Sequence, residues 1–215
     1  RIAPDCTTGA DEAYRLEITP DSVFIQSATV TGAFRGEETL KQLLRSGKGT
    51  TSACVINDAP RYSWRGFMLD ESRHFFGKEK VKQLLDIMAS LRLNVFHWHL
   101  TDEPGWRIEI KKYPLLTKVG SKGNYHDPSA PAAFYTQEDI KDIVAYAAAR
   151  HIMIVPEFDM PGHATAACRA YPELSGGGEG RWKDFTFHPC KEETFRFISD
   201  VLDELITLFP SPYIH

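Results

Sequence analysis

The sequence predicts an α/β chain: the N-terminal half of a (β/α)8 barrel, from its first strand to the start of its fourth, preceded by part of a small α+β domain. Three observations carry this. From Arg61 onward, short apolar stretches alternate with long segments of helical periodicity, strand then helix, repeated three times. That is the grammar of a parallel sheet covered by helices. Each apolar stretch ends in polar, chemistry-capable residues: "DESRH" after the first, "TDE" after the second and "DMPGH" after the third. Barrels gather their sites at that face. No GxGxxG follows any strand, so the competing doubly wound dinucleotide fold has no support. Three and a part units in about 155 residues amount to roughly half of a barrel that typically needs about 250.

Residues 1–60 read as the remnant of the auxiliary domain. "AYRLEIT" and "SVFIQSA" alternate apolar and polar side chains around Pro20-Asp21, a hairpin signal. "GEETLKQLLRSG" reads as a short helix with acids at its start, Arg45 near its end and Gly47 as its C-cap. "SACVIND" is a further strand, and the whole buries too little surface to stand well alone. In residues 61–215 the strands are "RGFMLD", "NVFHWHL" and "IMIVPEF". The first helix places Val81, Leu84, Leu85, Met88 and Leu91 on one face. The second opens on Thr136 and Asp139, a capping-box pattern, with Ile140, Ile143, Val144 and Ala147 inward. The third carries a wide stripe of Phe195, Ile198, Val201, Leu202, Leu205, Ile206 and Phe209. "YIH" then begins a fourth strand.

Composition narrows the functional classes. The 215 residues are 42% hydrophobic and 25% charged, with net charge −4 and no basic run, which argues against nucleic acid or an anionic membrane as partner. No apolar stretch approaches the length of a membrane span. Cys6, Cys54, Cys168 and Cys190 are far apart with no CxxC, and most are expected to be free buried thiols.

The candidate chemistry sits after the strands. His97 and His99 share one face of their strand. With Asp102, Glu157, Asp159 and His163 they suggest a metal-dependent hydrolase; as barrel interior they instead hydrogen-bond to their neighbours. Asp102 alone reads as an Asx-turn before Pro104-Gly105, and His163 alone as a helix-start residue. Together they end adjacent parallel strands and can meet, a carboxylate fixing the tautomer of a histidine. Arg65, at the start of its strand beside Trp64 and Gly66, needs carboxylates or a polyhydroxyl ligand if it points inward. Trp64, Trp98, Trp106, Trp182, Tyr125 and Phe134 offer flat faces on which pyranose rings stack.

In order and spacing, "YSWRGFMLDESRHFF", "NVFHWHLTDEPGWRIEI" and "VPEFDMPGHATA" resemble the β-N-acetylhexosaminidases of glycoside hydrolase family 20, from about Pro60 to the last residue. Residues 13–58 look like the small α+β domain that precedes the barrel there. The resemblance implies a glycosidase that removes terminal β-linked N-acetylglucosamine or N-acetylgalactosamine without metal or organic cofactor. Its nucleophile is the sugar's own 2-acetamido oxygen, one of the exceptions to the two-carboxylate scheme. A glutamate is the general acid and then base, and the aspartate before it orients the acetamido group.

By position, Arg65 resembles the arginine that grips sugar hydroxyls. Asp102 and His163 resemble the pair that supports and tunes the general acid. Asp70, Glu103, Glu157 and Asp159 are expected to be scaffold. The family's Asp-Glu pair stands in a His-x-Gly-Gly-Asp-Glu motif at the fourth strand, of which this sequence holds the first residue, His215. The chain is therefore expected to be an N-terminal fragment, inactive by itself. The missing half of the barrel, or a second copy, would cover its exposed edges. A non-catalytic sugar-binding or assembly half barrel is the alternative. Family habit places such enzymes in the periplasm, outside the cell or in lysosomes.

Overall fold

The computed structural model describes residues 11–215; Cys6 and the start of the 1–60 region lie outside the described residues. Among the described residues, two three-stranded sheets organise the fold. The first is antiparallel in the order β2-β1-β3, from β1 (Tyr14–Ile18), β2 (Val23–Ser27) and β3 (Cys54–Asp58), with α1 (Val30–Ser46) between β2 and β3. Alternation places Tyr14, Leu16 and Ile18 of β1 inward, against Ile25, Leu40, Leu43 and Ile56.

Helix α1 begins earlier than its sequence suggests, at Val30 rather than Gly36, and its first turn holds no acid. The Thr29 hydroxyl caps it, accepting the Gly32 N–H at 3.0 Å. Gly32 in this added turn serves packing. A Cβ at Gly32 would overlap the Ala13 carbonyl oxygen and press on Ser27, so glycine lets the helix lie close on the sheet. In an ordinary helix Gly→Ala stabilises by about 1 kcal/mol. Here Gly32→Ala is expected to destabilise by about 1–3 kcal/mol through overpacking, read as a lower urea midpoint; an unchanged or raised midpoint contradicts this packing account.

The second sheet is parallel in the order β4-β5-β6, from β4 (Gly66–Asp70), β5 (Val95–His99) and β6 (Met153–Glu157). Helices α2 (Lys78–Ser90) and α3 (Gln137–Ala148) link these strands, and α4 (Thr165–Ala170) and α5 (Glu192–Leu208) follow β6. Central β5 buries Phe96 and Trp98 completely. Thr136 and Asp139 form the expected capping box of α3. Leu91, placed on the inner face of α2 by periodicity, is the exposed C-cap.

In α5 the buried face is Thr194, Phe197, Val201, Leu205 and Leu208, while Phe195 and Ile206 are exposed. The apolar stripe is wider than the core it meets, so one flank stays outside. At the end of the chain, pairing with β6 begins at His215 alone. The His215 N–H donates to the Pro156 carbonyl, and the Phe158 N–H donates to the His215 carbonyl, both at 2.9 Å.

Cys54, Cys168 and Cys190 are free among the described residues. Of these, Cys168 is buried, Cys54 half-buried and Cys190 exposed, so the expectation that most are buried thiols does not hold among the described residues. Burial, helped by Asp184, pushes the Cys168 thiol up to about 12, which makes it inert. No described helix is long and apolar enough to cross a membrane.

Candidate active site

Parallel pairing puts the C-terminal ends of the three strands side by side, with Asp70, His99 and Glu157 in register. The segments that leave these ends bring Asp102 and His163 together. His163 Nδ1 lies 2.9 Å from Asp102 Oδ1, the bond of a histidine donating from Nδ1 and leaving Nε2 available. The Asp102 side chain is fully buried. Oδ1 also accepts the Glu103 N–H at 2.5 Å, but the expected Asx-turn does not form, because Pro104, two residues on, has no N–H to donate. Oδ2 faces Arg73 Nη1 at 2.7 Å and His99 Nε2 at 3.2 Å. Burial pushes the Asp102 carboxyl up, but His99, the Glu103 amide, Arg73 and His163 outweigh it and hold it below its ordinary value. His163 has φ +56°, a left-handed conformation that costs a non-glycine residue about 1–3 kcal/mol. Its ring packs 4.9 Å from that of Phe185.

Arg65 does not join this site. It precedes β4, whereas Asp102 and His163 lie beyond the other end of the sheet, roughly 16 Å away at 3.3 Å per residue. Its guanidinium is spent locally: Nε donates to the Arg92 carbonyl and Nη1 to the Tyr62 carbonyl, both at 2.7 Å, and Nη2 to Glu12 Oε2 at 2.6 Å. Glu12 also receives Arg35 Nε at 2.6 Å and Asn94 Nδ2 at 3.1 Å. Arg65 is therefore a clasp between the sheets, and the sugar-gripping role implied for it does not fit its position.

The arginine at the site is Arg73, in the "DESRH" segment after β4. Its Nη1 pairs with Asp70 at 2.8 Å and with Asp102 at 2.7 Å, and its side chain is 36% exposed. Burial pulls its guanidinium down, but Asp70, Asp102 and Glu103 hold it above its ordinary value. The placement of "DESRH" past a strand end was the available signal.

Arg107, fully buried, sequence reasoning passed over. Its guanidinium donates to the carbonyls of Glu71, Ser72, Ser121, Gly123 and Ala133 at 2.6–3.1 Å, and burial pulls it down to about 10. It holds the backbone that leads into Arg73. Gly105 is needed beside it, because a Cβ there would overlap the guanidinium.

His97 and His99 follow the interior reading. His97 Nε2 meets Glu157 Oε2 at 2.5 Å, and His99 Nδ1 meets the same oxygen at 3.5 Å. Ligand-type atoms gather within 4.8 Å in three groups: His97, Glu157 and His215; His99, Asp102 and Asp159; Asp102, Glu103 and His163. Their members already pair with one another, and Asp102 is shared by two of the groups. Burial, with Asp102 and Glu157 nearby, raises Asp159 against the pull of His163 and His99.

The aromatic residues divide. Trp98 and Trp106 are core. Trp182 and Tyr125 are exposed near the site: Trp182 packs on Phe185 with rings 5.1 Å apart, and the Tyr125 N–H donates to the Arg73 carbonyl at 3.1 Å. Trp64 is exposed beside Arg65, away from the site.

A parallel α/β sheet with titratable groups converging beyond its strand ends has the site arrangement of a barrel enzyme. The model of the glycosyl hydrolase family 20 catalytic domain matches residues 62–215, and that of the family's domain 2 matches residues 4–59. The chain belongs to glycosyl hydrolase family 20. It is 43% identical to a β-hexosaminidase of Porphyromonas gingivalis, over 95% of this chain and 28% of that protein. Its fold superposes on a Vibrio harveyi exo-β-N-acetylglucosaminidase, solved with N-acetylglucosamine, at TM-score 0.88 and 37% identity, covering 100% of this chain and 36% of that one. It also superposes on a Bacteroides fragilis β-N-acetylhexosaminidase at TM-score 0.87 and 41% identity, covering 98% and 43%. The chain thus spans less than half the length of these relatives.

Proposed function

We propose that this chain is the N-terminal part of a β-N-acetylhexosaminidase that removes terminal β-linked N-acetylglucosamine or N-acetylgalactosamine by substrate-assisted, retaining catalysis. The observation that carries the reading is the Asp102–His163 bond at the strand ends with Arg73 beside it. The substrate's acetamido oxygen attacks the anomeric carbon while a glutamic acid protonates the leaving oxygen. The Asp102–His163 pair supports that acid, supplying the tuning that acid–base work near neutral pH needs. Arg73, rather than Arg65, grips the sugar hydroxyls, because its donors lie at the mouth. No step requires a metal or organic cofactor.

On this reading residues 61–215 are the first half of the barrel, and His215 opens the motif that carries the acid. Its pairing with β6 fits a fourth parallel strand. Exposed Phe67 and Met68 on β4 and exposed Phe195 and Ile206 on α5 fit surfaces that the rest of the barrel covers. The polypeptide of residues 1–215 is expected to show no turnover of a chromogenic β-N-acetylglucosaminide, while the complete protein hydrolyses it. Appreciable turnover by residues 1–215 overturns the assignment of the acid to a later segment.

A further inference from the structure

We propose that His99 is a buried imidazolium that acts as a positioning residue for the Asp102–His163 pair. The role rests on the reading above that this pair supports the acid. Both ring nitrogens of His99 face oxygen acceptors. Nε2 lies 3.0 Å from the Thr101 carbonyl and 3.2 Å from Asp102 Oδ2, and Nδ1 lies 3.5 Å from Glu157 Oε2. A neutral imidazole that keeps the Nε2–H bond to Thr101 would turn the Nδ1 lone pair toward the Glu157 carboxylate, whereas the cation presents an N–H there, at ion-pair distance. The side chain is 7% exposed, leaving little water to take up a mismatch.

The surrounding charge favours the same state. Glu157 and Asp159 face His99 from β6 and the segment after it, with Asp159 Oδ2 at 3.8 Å. Asp102 faces it from the segment after β5, and Asp70 acts from the end of β4. Against these carboxylates stand Arg73, bound to Asp70 and Asp102, and His163, bound to Asp102. His97, on the same strand, is taken up by Glu157. Burial drives His99 toward the neutral form, but Asp102, Glu157 and Asp70 outweigh it and raise its value above the ordinary one.

Asp102 Oδ2 is buried and accepts no hydrogen bond, so the charges of Arg73 and the imidazolium at 2.7 Å and 3.2 Å stabilise it, while Oδ1 pairs with His163. Without that charge the buried Asp102 takes up a proton more readily, and a protonated carboxyl is a poorer acceptor for His163. His99 does this from beneath the pair, without touching substrate.

Histidine 15N–1H NMR on the complete wild-type protein tests the charge directly. Both His99 nitrogens are expected to read as N–H at pH 7, and one unprotonated nitrogen there overturns the proposal. This readout stands whether or not the protein is a hexosaminidase, so it fails separately from the functional reading. His99→Gln, which keeps hydrogen-bonding capacity without charge, is expected to lower kcat by roughly ten- to a hundred-fold. KM should stay nearly unchanged, and the acid limb of the kcat–pH profile should move up. An unchanged kcat and pH profile removes the positioning role.

Discussion

Replacing Asp102 by asparagine is expected to lower kcat of the complete enzyme by about 10²- to 10⁴-fold, the scale of lost acid–base support, with little change in fold. Asparagine keeps the shape but loses the charge. It no longer balances Arg73 and His99, 2.7 Å and 3.2 Å away, and its amide can present an N–H to His163 where an acceptor is required. Turnover of a chromogenic substrate, with thermal unfolding as control, measures this; a kcat near that of wild type contradicts the role of Asp102.

The same substitution has a pH signature. The folded-state value of Asp102 lies below the ordinary 3.8. Its contribution to stability is therefore present above that ordinary value and is lost as pH falls through the folded one. Asp102→Asn removes this acid-side dependence.

The second large effect separates two arginines. Arg73→Ala is expected to lower kcat/KM by roughly ten- to a hundred-fold, the loss of charge-assisted hydrogen bonds to the sugar. Arg65→Ala is expected to leave kcat and KM of the folded enzyme nearly unchanged, but to cost about 3 kcal/mol of stability by breaking a partly buried ion pair. Burial pushes the Glu12 carboxyl up, and the Arg65 and Arg35 bonds outweigh this and hold it low, so removing Arg65 leaves a carboxylate short of one cation. Steady-state kinetics and urea unfolding on both variants separate the two roles. A kinetic defect in Arg65→Ala without a stability loss would return the sugar contact to Arg65.

The parallel strands and the meeting of Asp102 with His163 were legible in the sequence. Apolar runs followed by "TDE" and "DMPGH" mark where strands stop and chemistry begins, and adjacent strand order brings Asp102 to His163. Arg65 precedes the five-residue strand and Arg73 follows it, so local order alone already separates the two arginines. The partner that ties Arg65 to the opposite end, Glu12, lies far earlier in the chain and has no local signal. Helix α1 extends further toward its N-terminus than the sequence suggests because the close approach of Gly32 to the sheet leaves no local signature. Arg107 was invisible for a similar reason: its partners are backbone carbonyls of loops, which leave no side-chain signature.

The most direct test of the account is a double-mutant cycle on the complete enzyme with Asp102→Asn, His163→Ala and the pair combined. If the two residues act as one unit, the double variant is about as slow as the slower single variant. If the losses in kcat multiply instead, Asp102 and His163 act independently, and the central claim of a coupled pair supporting the general acid is wrong.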